Sequence, residues 1–155
     1  MEGNQLKGQI GVIGGAECTS DIYEIAREVG GEIAKKGFAL VCGGLTGVME
    51  AACRGAKEAG GITIGILPTS DKRAANPYVD VVIPTGLGHA RNVLVVLAAD
   101  AVVAVDGETG TLSEIAIALK VGKPIVGIRT WELEGRVPLA KGGKEAVALL
   151  VGMLR

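Results

Sequence analysis

The stretch Asp106-Gly107-Glu108-Thr109-Gly110-Thr111-Leu112-Ser113-Glu114 combines glycines, hydroxyls and carboxylates at a spacing suited to anion chemistry. A purely apolar run, residues 101–105, precedes it and predicts a buried strand. Leu112, Ile115, Ala116 and Leu119 follow at helical spacing and predict a helix packed on a sheet. Glycines between a strand and a helix let backbone N–H groups approach a ligand, and the helix start adds unpaired donors and a positive dipole end. On this reading the N–H groups of Gly107, Glu108, Thr109, Gly110 and Thr111 hold a phosphate, with the Thr111 hydroxyl as a further donor. Two features speak for a purely structural turn. Thr111-x-x-Glu114 before an apolar helix is also a capping box, in which Glu114 reaches back to the cap. The carboxylates of Asp106 and Glu108 would repel a phosphate seated between them.

Three other turns carry candidate groups. Gly43-Gly44-Leu45-Thr46-Gly47 follows an apolar run and forms either a pocket wall, with Thr46 and backbone N–H groups on the ligand, or a tight packing turn. Gly14 and Gly15 close the first apolar run and would face the same ligand. Gly86-Leu87-Gly88 leads to His89, Arg91 and Asn92 at the start of an almost wholly apolar helix. A cation at the positive end of a helix does not stabilise the helix, so Arg91 requires an anion: a ligand phosphate, or Glu114. No G-x-x-x-x-G-K-[ST] occurs, and the first turn is not G-x-G-x-x-G. The second strand ends in Cys42-Gly43, without the acidic residue that holds the ribose of NAD. A Walker-type nucleotidase and a dehydrogenase are both disfavoured.

The elements that position these turns alternate regularly. Apolar runs at residues 9–13, 38–42, 62–67, 79–83, 101–105 and 124–128 predict six strands. Helical patterns fall at 21–36, 48–59, 90–99, 112–121 and 144–154, with an irregular tail over 130–143. Thr19 or Ser20 can cap the first helix, and Gly30-Gly31 weakens it. Continuous apolar strands alternating with helices predict an α/β fold: a doubly wound parallel sheet, Rossmann-like, as a single three-layer domain over residues 1–155. In such sheets ligands bind beyond the carboxyl ends of the strands, where all four turns lie.

Composition agrees. The chain is 48% hydrophobic but only 3% aromatic, so the core is aliphatic and a β-sandwich is disfavoured. Sixteen basic and 17 acidic residues form no basic stripe, which argues against nucleic acid and an acidic membrane surface as partners. Cys18, Cys42 and Cys53 are odd in number and share no C-x-x-C spacing, so no disulfide framework or metal site is expected. The N-terminal stretch is short and polar, with no signal peptide or membrane-length apolar run, and a cytoplasmic protein is expected. The loop over residues 68–78 reads as a solvated connector.

Gly43-Gly44-x-x-Gly47-x-Met49, followed by Gly110-Thr111-x-x-Glu114, resembles the Rossmann-like superfamily that carries the label "possible lysine decarboxylase". That superfamily includes the Lonely Guy cytokinin-activating phosphoribohydrolases and the molybdenum cofactor carrier proteins. The resemblance runs from Ile10 to about Ile128. In the hydrolases the motif P-G-G-x-G-T-x-x-E supplies a glutamate that works with an arginine; the resemblance assigns these catalytic roles to Glu114 and Arg91. Asp106 stands in place of the proline, Glu108 in place of the second glycine, and Asn92 in place of the lysine after the arginine. The chain is more similar to the short, carrier-like branch. The decarboxylase label has no chemical support, because no Schiff-base lysine with a pyridinium partner lies near these turns.

Two functions follow as expectations. One is hydrolysis of the N-glycosidic bond of a nucleoside 5′-monophosphate, with Glu114 stabilising positive charge on the ribose and orienting water, and Arg91 positioning the phosphate or Glu114. The other is a carrier that stores a phosphorylated cofactor such as the molybdenum cofactor without chemistry. A nucleotide sensor is a third, plainer reading. No cofactor is required for catalysis; the bound species would be a nucleotide or the molybdenum cofactor. The apolar helix over 90–99 suits a subunit interface, and the resemblance implies a homo-oligomer, a dimer or tetramer.

Overall fold

The computed structural model describes residues 5–154, so Met1–Asn4 of the N-terminal stretch and Arg155 lie outside the described residues. Among the described residues six strands and five α-helices follow one another, with an α-helix between successive strands except β3 and β4: β1 (Gln9–Gly14), α1 (Ser20–Lys35), β2 (Ala39–Cys42), α2 (Val48–Glu58), β3 (Thr63–Leu67), β4 (Val81–Pro84), α3 (Arg91–Ala98), β5 (Ala101–Val105), α4 (Thr109–Val121), β6 (Ile125–Ile128) and α5 (Gly143–Met153). All strands pair in parallel, in the order β4-β3-β2-β1-β5-β6. The fold is therefore α/β and Rossmann-like. The chain winds outward from β1 through β2 and β3 to β4, then returns to place β5 on the other side of β1. The order of strand addition reverses between β1 and β5, and such a switch point opens a crevice at the carboxyl edge.

Strand residues alternate between two cores, as the pleat requires. Val103 and Val105 join Ile10, Leu40 and Ile128 beneath α1, α2 and α5. Val102 and Ala104 join Ile13, Val41 and Ile66 beneath α3 and α4. Each fully buried Ile, Leu or Val side chain contributes roughly 1.5–3 kcal/mol. Gly30 inside α1 is a packing device rather than a weakness. A Cβ on Gly30 would overlap the backbone carbonyl of Ala52, so the bare glycine lets α1 lie directly on α2. Thr19 caps α1, its hydroxyl accepting from Ile22 N–H at 3.4 Å.

Three elements differ from the sequence expectation, the first being α4, which starts at Thr109 and not at residue 112. The fourth strand begins at Val81, because Val79 N–H donates to the Asn76 carbonyl in a turn at 3.3 Å. Helix α3 is not buried all round: Val95 and Val96 face the sheet, while Val93, Leu94 and Leu97 are 39%, 37% and 51% exposed. Among the described residues no helix is long and apolar enough to cross a membrane.

Candidate functional site

The crevice at this switch point holds a cavity of about 460 Å³. The turn after β1 (Gly14, Gly15, Ala16, Glu17) forms one wall and the turn from Asp106 to Thr111 the other. Leu45, Met49, His89, Arg91, Asn92 and Glu114 complete it. A larger groove of about 560 Å³ runs between α1 and α2, but its Arg27 is paired with Glu24 and Glu58, and its Lys35 with Glu32. That groove offers a ligand little unmatched charge.

Helix α4 starts at Thr109, earlier than the capping-box reading requires. Its cap residue is Glu108, which makes no side-chain capping bond, and the first intrahelical bond is Leu112 N–H to the Glu108 carbonyl at 2.9 Å. The N–H groups of Thr109, Gly110 and Thr111 have no acceptor among the described residues. Thr111 therefore lies within the first turn, 3% exposed, and Glu114 lies one turn deeper, 7% exposed. Glu114 does not fold back as a cap; it lines the cavity.

Helix α2 provides the contrast. Its first N–H is taken by the protein itself, Val48 N–H donating to the Gly15 carbonyl at 3.0 Å, whereas none of the first three of α4 is. The Thr46 hydroxyl donates to the Ala16 carbonyl at 2.8 Å, so Thr46 fastens the first turn instead of facing the cavity. Gly43, Gly44, Thr46 and Gly47 do not line the cavity. Of the expected site residues, Gly14, Gly15, Gly107, Glu108, Thr109, Gly110, Thr111, Arg91 and Glu114 come together around it. Gly43 acts indirectly: a Cβ there would overlap the Arg91 guanidinium, so the bare glycine makes room for the cation.

Arg91 is the least satisfied group of the site. It is 8% exposed, and its Nε is buried without a hydrogen-bond partner. Arg91 and Glu114 influence each other electrostatically but form no direct ion pair. Burial pushes the Glu114 carboxyl up to about 7, and Arg91 partly opposes this. Glu114 therefore exchanges a proton near neutrality. Cys18, half-buried near the first turn, is no activated nucleophile: burial, then the Asp106 and Glu50 carboxylates, push its thiol up.

Several supporting contacts escaped the sequence reading. Asn92 Nδ2 donates to Ser113 Oγ at 3.3 Å, and Ser113 Oγ donates to the Gly110 carbonyl at 2.6 Å, tying the start of α3 to the turn. Thr130, in the irregular tail, donates to the Asp106 carbonyl at 2.7 Å. Asn76 braces the Gly43–Gly47 turn, with Nδ2 donating to the Leu45 carbonyl at 2.8 Å and its N–H to the Gly44 carbonyl at 2.9 Å. Only Asn92 carried a signal, as a polar side chain on an apolar helix beside Arg91. Apart from the local Ser113–Gly110 bond, the other contacts join residues far apart in the chain.

Residues 7–151 match the SLOG cluster4 family. The molybdenum cofactor binding protein of the phototrophic bacterium Rippkaea orientalis superposes with a TM-score of 0.90 at 37% identity, over 96% of this chain and 98% of that one. The molybdenum cofactor carrier protein of Chlamydomonas reinhardtii gives a TM-score of 0.85 at 39% identity, again over 96% and 98%. A cytokinin riboside 5′-monophosphate phosphoribohydrolase of Mycobacterium tuberculosis is 32% identical over 121 residues, 72% of this chain and 65% of that enzyme. The alignment thus spans just under two thirds of the enzyme's length.

Proposed function

The chain belongs to the SLOG cluster4 family, and on that premise we propose that it is a binding protein for a phosphorylated, nucleotide-like ligand, acting as a carrier or store. One observation carries this reading. A buried guanidinium without a partner opens on the same cavity as three free N–H groups at a helix start. A fixed cation out of water requires an anion, and a phosphate meets both the cation and the donors. The likeness to molybdenum cofactor carriers along almost the full length of both chains supports the molybdenum cofactor as cargo. The cavity of about 460 Å³ is of the size that holds one small cofactor.

Hydrolysis of a nucleoside 5′-monophosphate is the second reading. It is favoured by Glu114 and Arg91 facing one cavity, in a chain with a phosphoribohydrolase relative. Carboxylates at Asp106 and Glu108, where the hydrolase motif has proline and glycine, weigh toward the carrier. Titration with AMP, alongside an assay for free adenine and ribose 5-phosphate, separates the two. The carrier reading expects binding that Arg91→Ala weakens about 10- to 100-fold, with no base released. Base release that disappears in Glu114→Gln would favour the hydrolase; binding indifferent to Arg91 would refute the site. We also assign the exposed apolar face of α3 to contact between subunits of a homo-oligomer.

A further inference from the structure

The cavity carries a charge pattern that an oxyanion alone does not match. Its anion-seeking groups are the N-terminus of α4 and Arg91. Yet the turn that presents those N–H groups also carries Asp106 and Glu108, and both line the same cavity. Among the described residues neither carboxylate has a side-chain hydrogen bond or an ion pair. Glu108 occupies the cap position of α4 without capping it, so helix stability does not explain a carboxylate there. Asp106 holds a left-handed backbone, φ 51°, fastened by Thr130 at its carbonyl and by its own N–H donating to Ile128 at 3.0 Å.

Arg91 is the independent sign that a ligand belongs here, since it is more than nine-tenths buried, aimed into the cavity and without a partner at Nε. An oxyanion drawn in by Arg91 then shares a small cavity lined by four carboxyl groups, Glu17, Asp106, Glu108 and Glu114, of which Asp106 and Glu108 sit on the very turn that presents the N–H groups. A divalent cation between those two carboxylates and the oxyanion removes the conflict. Mg²⁺ is commonly held by one or two carboxylates together with ligand phosphate oxygens, and it keeps several waters instead of needing a full protein cage. The turn supplies two carboxylates, separated in sequence only by Gly107. Among the described residues no three His, Cys, Asp or Glu side chains gather into a metal site, so the proposed cation relies on the ligand's own oxygens as well.

We propose that the ligand enters this cavity as its complex with a divalent cation of the Mg²⁺ class, with Asp106 and Glu108 facing the cation and Arg91 and the α4 N–H groups holding the oxyanion. The proposal rests on the reading of the cavity as an oxyanion site. It adds a second determinant of specificity: a free, metal-stripped phosphate is rejected by the same turn that accepts its magnesium complex.

The test is calorimetric titration of AMP into the full chain, in Mg²⁺ and in EDTA, for wild type, Glu108→Gln and the Asp106→Asn/Glu108→Gln double variant. Asparagine tolerates the left-handed backbone at position 106, and Glu108 is exposed, so both variants keep the fold. Mg²⁺ is expected to tighten AMP binding by wild type about tenfold or more, the scale of two screened like-charge contacts. The double variant should bind AMP in EDTA more tightly than wild type does and gain little from Mg²⁺; Glu108→Gln should fall between. Equal wild-type affinity in the two media, or a Mg²⁺ gain that survives in the double variant, overturns the proposal. If that affinity still depends on Arg91, the oxyanion site stands and only the cation is lost. Absence of AMP binding in both media sinks both readings.

Discussion

Replacing Glu114 by glutamine probes the most perturbed group of the site. Burial raises the carboxyl from its ordinary value of 4.5 to about 7 in the folded chain. Between those values the folded state binds a proton that the unfolded chain has released, so stability falls as pH rises through the window. The contribution is complete below about pH 4.5 and gone above about pH 7. At about 1.36 kcal/mol per pH unit, the gap from 4.5 to about 7 is worth about 3 kcal/mol. Roughly 2.5 kcal/mol of that is lost between about pH 5 and pH 8. Glutamine keeps the shape and cannot ionise, so Glu114→Gln should gain on wild type by about that amount over the same interval. For a chain of 155 residues this is a relative rise in melting temperature of roughly 5–10 °C. Urea or thermal unfolding of both proteins at the two pH values measures it. A difference between variant and wild type that does not change with pH would falsify a carboxyl held near neutrality by burial.

The glycines give a matched pair of experiments. Gly43→Ala should drive Arg91 from its place and weaken AMP binding about as much as Arg91→Ala, which titration calorimetry reads directly. Gly30→Ala should instead separate α1 from α2, costing roughly 1–3 kcal/mol of stability with AMP affinity kept; a loss of affinity as large as that of Gly43→Ala would refute this division. Leu94→Asp with Leu97→Asp should convert an oligomer to monomers in light scattering, and a wild type that is already monomeric at tens of micromolar removes that interface. Arg91→Met should raise the Glu114 carboxyl further, moving its titration by NMR to higher pH; an unchanged midpoint would mean that the two groups do not sense each other.

The residues alone reveal the architecture and the edge on which the glycine-bearing turns lie. Runs such as 101–105 and 125–128 are apolar without interruption, which only a strand covered on both faces requires, and helical patterns separate them. The four glycine-bearing turns then fall at the carboxyl ends of strands. Arg91 was legible too, because a cation opening an apolar helix is unexplained by the helix.

Tertiary structure alone decided which turn is open. Thr111-x-x-Glu114 reads equally as a cap or as a site, since both need the same residue types at the same spacing. The outcome depends on α4 starting at Thr109, which sends Glu114 into the cavity and leaves three N–H groups free. The Gly43–Gly47 turn looked equivalent, but the Gly15 carbonyl takes the first N–H of α2 and Thr46 is bound to Ala16. Those bonds join residues some 30 positions apart, between strands that pair only in the folded sheet. Local periodicity cannot encode such a contact, and so one helix start became a brace while the other stayed open to a ligand.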